Sequence, residues 1–157
     1  MRTLVVFYSR SGTTKKVAKE ISKILKCDTE ELVDLKSRKG FKGFLNSGRE
    51  SHTRTCTKLG KLKKDPSKYD LIILGTPTWT LRMSCPMRTY ILKNRKKFKK
   101  IACFMTYGGL GGLVNREMAH LCGKKAIAGI SLKQLDVKTG RASKTIRRFC
   151  QKIKKNS

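Results

Sequence analysis

Five short apolar runs recur along the chain, and most are followed by a polar or glycine-rich loop and then by a segment with helical periodicity. The runs are rich in β-branched and aromatic residues, which is typical of buried strands. Strands that alternate with helices form a parallel sheet with right-handed crossovers and helices on both faces. The sequence therefore predicts a three-layer α/β fold, with five parallel strands at residues 4–8, 30–35, 69–75, 101–106 and 126–132.

The helical segments predict which side chains pack on the sheet. Val17 and Ile21 recur at helical spacing after the first run, and Thr13 or Thr14 is expected to cap that helix. Leu113 is expected to pack from the helix that follows the fourth strand.

The length of the chain fits one domain. Its 157 residues contain no Pro/Gly/Ser linker, so a single domain is expected over 1–157. Residues 36–68 are polar, basic and interrupted by glycines, which indicates a long excursion with a short helix around Phe41 to Leu45.

The balance of charge is strongly basic. There are 38 Lys and Arg against 10 Asp and Glu, a formal net charge of +28, and no acidic residue lies between Asp70 and Glu117 or after Asp136. Such a surface attracts polyanions, although a charge run can also be a solvated face. No nucleic-acid-binding motif is present and few aromatic residues stand among the basic ones, so only charge supports a module for RNA, DNA or anionic membrane.

The first residues and the lengths of the apolar stretches indicate where the protein is located. The first residues lack the cleavage site of a signal peptide, and no stretch approaches the roughly 20 apolar residues of a membrane span. We therefore expect a cytoplasmic protein that is not an integral membrane protein.

Six cysteines without a C-x-x-C pair, with only His52 and His120 to assist, favour reduced thiols over a metal site. Cys85, beside Pro86 at a helix start, is a candidate redox-active thiol.

The loop after the first strand has the chemistry of an anion site. It consists of Ser9, Arg10, Ser11, Gly12, Thr13 and Thr14. Hydroxyls and successive backbone N–H groups stand where a helix begins, and the helix dipole favours an anion there. The loop has neither the lysine of a Walker loop nor the glycine spacing of a dinucleotide-binding turn. Hydroxyl groups would suit a phosphate monoester that is not transferred, whereas simple helix capping by Ser11 and Thr13 is the alternative.

Two more loops are expected at the same edge of the sheet, because they also follow parallel strands. They comprise Thr76, Pro77, Thr78, Trp79 and Thr80 after the third strand, and Tyr107, Gly108, Gly109, Leu110, Gly111 and Gly112 after the fourth. Trp79, the sole tryptophan, could hold a planar ligand or could simply cover the sheet edge. The glycines would let backbone approach a ring closely, while Tyr107 flanks its second side.

These three loops resemble the phosphate loop and the two ring loops of the flavodoxin family. The residues that carry the likeness are 7–18, 75–80 and 106–109, and segments 40–45 and 82–90 resemble a prokaryotic subgroup of flavodoxin-like proteins. The order and spacing cover nearly the whole chain. The resemblance implies noncovalent FMN and the strand order 2-1-3-4-5. Flavodoxins are typically acidic, whereas this chain is basic and carries Arg10 and Arg82 in or beside the loops.

The resemblance also implies electron transfer, for which the flavin supplies the chemistry and no catalytic residue is required. The first interpretation is an electron carrier that docks to an acidic redox protein. The alternatives are an NAD(P)H-dependent reductase that passes electrons to a quinone or similar acceptor, and a polyanion-binding module in which the flavin site is incidental. The residues expected to bind FMN are Ser9, Arg10, Ser11, Gly12, Thr13, Thr14, Thr76, Pro77, Thr78, Trp79, Thr106, Tyr107, Gly108 and Gly109.

Overall fold

A parallel five-stranded sheet forms the centre of the computed structural model, which describes residues 1–35 and 56–156. Its strands are β1 (Thr3–Phe7), β2 (Asp28–Glu31), β3 (Leu71–Trp79), β5 (Lys100–Tyr107) and β6 (Ala126–Lys133), and a short strand β4 (Arg82–Met83) pairs antiparallel with β3. The parallel strands lie in the order β2-β1-β3-β5-β6. Because β4 stands outside this path, the predicted order 2-1-3-4-5 is confirmed.

Helices cover both faces of the sheet, as the alternating pattern predicts. They are α1 (Thr13–Leu25), α2 (Cys85–Asn94), α3 (Val114–Cys122), α4 (Gln134–Lys138) and α5 (Ser143–Lys155), with single 3-10 turns at Pro66–Lys68 and Arg95–Lys97. Helices α1, α4 and α5 pack on one face, and α2 and α3 pack on the other. In the described part of the chain, no helix is long and apolar enough to cross a membrane.

Alternation along the buried strands supplies the two halves of the core. In β1, Leu4 and Val6 belong to the cluster under α2 and α3, whereas Val5 and Phe7 belong to the cluster under α1 and α5. Successive side chains point to opposite faces of a strand, so a continuous apolar run is what a strand covered on both sides requires.

One glycine in β3 is required by close packing. A Cβ added at Gly75 would lie 2.0 Å from Cζ of Phe104, whose ring is fully buried in the α1 and α5 cluster. Only a residue without a side chain fits between β3 and that ring.

Several element boundaries differ from the sequence-based expectations. β2 ends at Glu31 rather than at residue 35, because the chain then leaves β1 and Asp34 bridges Leu59 instead. β3 continues to Trp79, since its last residues pair with β5 and β4. Helix α4 was not predicted, because five residues are too few to show a helical period. The predicted helix at residues 41–45, and the segment 40–45, lie outside the described residues.

Two expectations about helix ends were wrong. The N-cap of α1 is Gly12 rather than Thr13 or Thr14, and it has no side-chain cap, because the left-handed turn at Gly12 places both threonines inside the helix. Leu113 precedes α3 as its N-cap and is 66 % exposed, so Val114 rather than Leu113 begins the packed face.

The outer strand β6 is bonded by two asparagine side chains. Nδ2 of Asn115 donates to the carbonyl of Ile130 at 2.8 Å, and Nδ2 of Asn156 donates to the carbonyl of Ile127 at 3.0 Å. The register with β5 also shifts between Ile101 and Cys103.

Candidate functional site

The three predicted loops meet around one cleft of about 470 Å³ at the carboxyl ends of the parallel strands. It is lined by Arg10, Ser11, Thr13, Thr14, Pro77, Thr78, Trp79, Thr80, Leu81, Thr106, Tyr107, Gly108, Gly109, Leu110 and Gln134. Every residue predicted to bind the ligand is among them except Ser9, Gly12 and Thr76. A volume of this size suits a small-molecule ligand.

The first loop is shaped from within by Ser9 and Gly12. Oγ of Ser9 accepts hydrogen bonds from the N–H groups of Gly12 at 3.1 Å and Lys15 at 3.2 Å. The φ of Gly12 is +88°, a left-handed value that costs glycine little. The first four N–H groups of a helix have no partner within the helix. In α1, those of Gly12 and Lys15 donate to Ser9, which leaves those of Thr13 and Thr14 to bind a ligand.

A hydroxyl contact ties the start of α1 to the end of β5. The Oγ1 atoms of Thr14 and Thr106 lie 2.8 Å apart and share a buried hydrogen bond. Both side chains are almost fully buried, yet both residues border the cleft. The contact therefore fixes the anion-binding end of the cleft against the glycine loop.

The second loop is a β-hairpin rather than an irregular loop. Thr78 pairs with Met83 and Trp79 pairs with Arg82, so the turn contains only Thr80 and Leu81. Their φ values are +47° and +63°. Two-residue turns of this kind prefer Asn-Gly because side chains disfavour left-handed backbone. A β-branched and a bulky residue here place backbone strain at the rim of the cleft.

Hydrogen bonds beneath the hairpin hold it in place. Oγ1 of Thr76 donates to Oγ of Ser84 at 2.9 Å and accepts from the N–H of Ser84 at 3.0 Å. Thr76 is fully buried, so its side chain supports the hairpin from below instead of lining the cleft.

A second support comes from Glu117 on α3. Oε2 of Glu117 accepts from the N–H of Met83 at 3.1 Å, and Oε1 accepts from Nη2 of Arg88 and lies 3.8 Å from Nη1 of Arg82. The Arg88 side chain is 7 % exposed and that of Glu117 is 17 % exposed. The buried Nε of Arg88 has no hydrogen-bond partner among the described residues. Glu117 therefore joins α2, α3 and the hairpin through a mostly buried ion pair.

Trp79 both packs in the core and lines the cleft, so its position agrees with both interpretations drawn from the sequence. It is 6 % exposed and packs edge-to-face on Tyr8, with ring centroids 5.5 Å apart and an interplanar angle of 87°. It also lines the cleft. The core contact holds the indole rigid, which is the condition for a fixed wall against a planar ligand.

The glycines of the third loop divide into two pairs with different roles. A Cβ at Gly109 would meet nothing within 4 Å, and one at Gly108 would meet only Oε1 of Gln134 at 3.6 Å. Gly111 and Gly112 instead pack closely, since their added Cβ atoms would lie 2.9 Å from Cε of Met105 and 2.8 Å from the carbonyl oxygen of Leu81. The expectation that all four admit a ring therefore needs correction. Gly111 and Gly112 fit the loop against β5 and the hairpin.

The cleft has a positive electrostatic character. Its lining contains no Asp or Glu, and Arg10 stands at its rim. Helix α1, which begins there, has no acidic residue in its first turn. An anionic ligand is therefore favoured at this end.

Thr80, Leu81, Leu110 and Gln134 line the cleft but were not among the predicted binding residues. Gln134 directly follows the fifth parallel strand, so the rule that ligands gather at carboxyl strand ends could have found it. Thr80, Leu81 and Leu110 lie within or beside the predicted loops and carry no motif of their own.

The cysteines lie away from the cleft. Cys85 is the first residue of α2 and is 1 % exposed, which argues against a thiol that meets partners in solution. Burial raises the pKa of Cys27 and Cys150 to about 11 and that of Cys122 to about 12. Within the described ranges, no group of three or more His, Cys, Asp or Glu side chains could hold a metal ion.

Comparisons with known proteins bear on the fold. No protein-family model matches the sequence, and no curated protein matches it. A flavoprotein from Lactobacillus acidophilus NCFM, solved in complex with FMN, is 22% identical, with a TM-score of 0.70 over 88% of this chain and 97% of that one. A flavodoxin from the domain Archaea is 19% identical, with a TM-score of 0.56 over 98% of this chain and 99% of that one.

A third solved structure agrees with these two. Oxidised flavodoxin 1 from Bacillus cereus is 19% identical, with a TM-score of 0.54 over 96% of this chain and 98% of that one. The likeness spans nearly the whole of each protein. The chain has the flavodoxin-like α/β fold.

Proposed function

We propose that the cleft binds FMN noncovalently and that the protein carries electrons between redox partners. One observation supports this above all. A single cleft joins the hydroxyl-rich, positive end of α1 to two walls that carry Trp79 and Tyr107. FMN has the matching form, with a phosphate at one end and a planar ring system at the other.

The residues present fit this cofactor. The N–H groups of Thr13 and Thr14 and the hydroxyl of Ser11 are suited to hold the phosphate, and no carboxylate lines the cleft to repel it. The open space at Gly109 leaves room for a ring edge against the backbone. When bound, FMN supplies the electron-transfer chemistry, so the chain needs no nucleophile or general acid of its own.

The predicted binding residues then take distinct roles. Thr13, Thr14 and Ser11 contact the phosphate, while Ser9 and Gly12 set the path of the loop. Pro77, Thr78, Trp79, Tyr107, Gly108 and Gly109 border the ring, Thr106 positions Thr14, and Thr76 supports the hairpin through Ser84. Arg10 lies at the rim, where its charge favours the phosphate and an acidic partner.

The surface charge supports a carrier, because a net charge of +28 accelerates encounter with an acidic redox protein. The same charge also attracts NADH and NADPH, so a measurement has to separate the carrier from the reductase. Steady oxidation of NADH or NADPH by the purified protein with a quinone acceptor separates the two. We expect none above the rate of free FMN. Sustained turnover would contradict the carrier function and support the reductase.

Titration of the apoprotein with FMN and with riboflavin tests the cofactor and its orientation together. Riboflavin lacks the phosphate, and two charge-assisted hydrogen bonds of about 1.5 kcal/mol each correspond to roughly a hundredfold weaker binding. Ser11→Ala, which removes the hydroxyl assigned to the phosphate, should weaken FMN but leave riboflavin unchanged, whereas Trp79→Phe should weaken both. Thr145→Ala, an exposed threonine on α5, is the control. Equal affinity for FMN and riboflavin, or no flavin binding, would contradict the proposal.

A further inference from the structure

The outer surface of α1 and α5 carries a group of six cations, here called the basic face. These two helices lie side by side on one side of the sheet and share its apolar cluster. The basic face comprises the exposed side chains of Lys19, Lys23, Lys144, Arg148, Lys152 and Lys155. Helix α5 contains no acidic residue, and the sole acid of α1 is the half-buried Glu20.

The six cations of the basic face have no ion-pair partner in the part of the chain that the structure describes. None of the six forms an ion pair with the residues described, whereas Lys15 binds Glu31, Lys97 binds Asp65 and Lys99 binds Asp70 elsewhere. Like charges repel at i, i+4, as Lys19 does with Lys23. Such repulsion opposes helix formation, whereas the inner residues of α5 hold that helix on the sheet.

The composition of the basic face limits the class of partner that it can bind. Large exposed apolar side chains, including Leu81, Leu92 and Leu110, lie outside it, and it presents no exposed aromatic ring. A face without apolar anchors lacks what an interfacial helix inserts into a bilayer, and a face without rings lacks what stacks on single-stranded bases. Its five lysines and one arginine can neutralise the phosphates of any base sequence.

The spacing of the cations suits a phosphate backbone. Lys144, Arg148 and Lys152 are four residues apart, which places them about 6 Å apart along the axis of α5. A DNA duplex presents one charge per about 1.7 Å of its length and exchanges bound counterions for protein cations. We propose that the basic face binds double-stranded DNA through its phosphates, without sequence preference.

This surface is separate from the cleft. Helix α1 starts at the cleft with Thr13 and Thr14, and its chain direction carries Lys19 and Lys23 away from it. DNA on the basic face would therefore leave the mouth of the cleft open. The proposal does not rest on FMN binding, and the apoprotein and the flavin-loaded protein should bind DNA equally.

The test compares two variants that lose the same charge. The face variant carries Lys19→Gln, Lys23→Gln, Lys152→Gln and Lys155→Gln. The control variant carries Lys58→Gln, Lys61→Gln, Lys93→Gln and Lys96→Gln, four exposed lysines on the side of the sheet covered by α2 and α3. Binding to a labelled random-sequence 20-base-pair DNA is measured by fluorescence anisotropy over a range of salt. Circular dichroism shows that each variant is folded.

We expect the face variant to bind DNA at least thirtyfold more weakly at 0.1 M salt, with the slope of log K against log salt reduced by about 3. The control variant should stay within about threefold of the unmodified protein. Equal losses in both variants would show that net charge alone acts and would overturn the proposal. So would an unchanged affinity in the face variant.

Two further measurements, on duplex RNA and on lipid vesicles, would reveal a partner other than DNA. If RNA duplex of the same length binds more than tenfold tighter than DNA, the assignment to DNA is wrong. If the face variant loses binding to phosphatidylserine vesicles while its DNA affinity is unchanged, the basic face is a membrane surface. DNA binding that falls only in the face variant, with RNA duplex no tighter, supports the proposal.

Discussion

Replacing Glu117 by glutamine should loosen the hairpin that forms one wall of the cleft. The carboxylate accepts from the N–H of Met83 and from Arg88, and both side chains of the ion pair are mostly buried. Removing one partner of a buried pair costs about 3–5 kcal/mol, because the other charge is left uncompensated. Glutamine keeps one acceptor oxygen, and 17 % of Glu117 is exposed, so we expect about 2–3 kcal/mol.

Urea unfolding followed by the fluorescence of Trp79, the sole tryptophan, measures this loss. In a domain of this length the midpoint of thermal unfolding should fall by about 5–10 °C. FMN affinity should fall with it, because Met83 pairs with Thr78 on the cleft. Glu20→Gln removes the same charge from α1 and should change neither quantity appreciably.

A double variant separates the ion pair from packing. Glu117→Gln combined with Arg88→Met removes both charges at similar volume, so it should be less destabilised than the sum of the two single variants. If Glu117→Gln stays within about 0.5 kcal/mol of the unmodified protein, then the pair does not hold the hairpin.

Three more predictions address the sheet, the turn and the thiols. Gly75→Ala should destabilise the protein by about 1–3 kcal/mol in urea unfolding, because its Cβ would overlap the ring of Phe104, and a neutral result would contradict the packing. Thr80→Asn combined with Leu81→Gly should raise stability by about 1–2 kcal/mol, since it relieves two left-handed residues, and no gain would mean that the turn is unstrained. At pH 8 a thiol reagent should modify Cys56 rapidly and the other five cysteines slowly, as Cys56 alone is exposed, whereas several fast thiols would refute this burial.

The parallel sheet and the meeting of its loops could be predicted because the signals are local. Val5 and Val6 lie in a run that must be covered on both faces, and such strands in α/β order place their following loops at one edge. The anion-binding loop was recognisable for the same reason, since Ser11 and Thr13 stand next to the helix start that they serve.

The parts that could not be predicted depend on contacts between distant residues. Thr80 and Leu81 give no Asn-Gly signal for a hairpin turn, and the support from Glu117 comes from a helix more than thirty residues later. Gly111 and Gly112 were indistinguishable from Gly108 and Gly109 in the sequence, since only the position of the hairpin shows which pair is packed.

The two hydrogen bonds from asparagine side chains to β6 affect whether a second chain can pair with this strand. An eight-residue outer strand normally offers free carbonyl groups to which a second chain can add as another strand. Here the carbonyls of Ile127 and Ile130 are already engaged by Asn156 and Asn115, and the shifted register disturbs the regular ladder. A concentrated solution of the protein should therefore resist growth into fibrils through this edge, even when salt screens the repulsion between its positive surfaces.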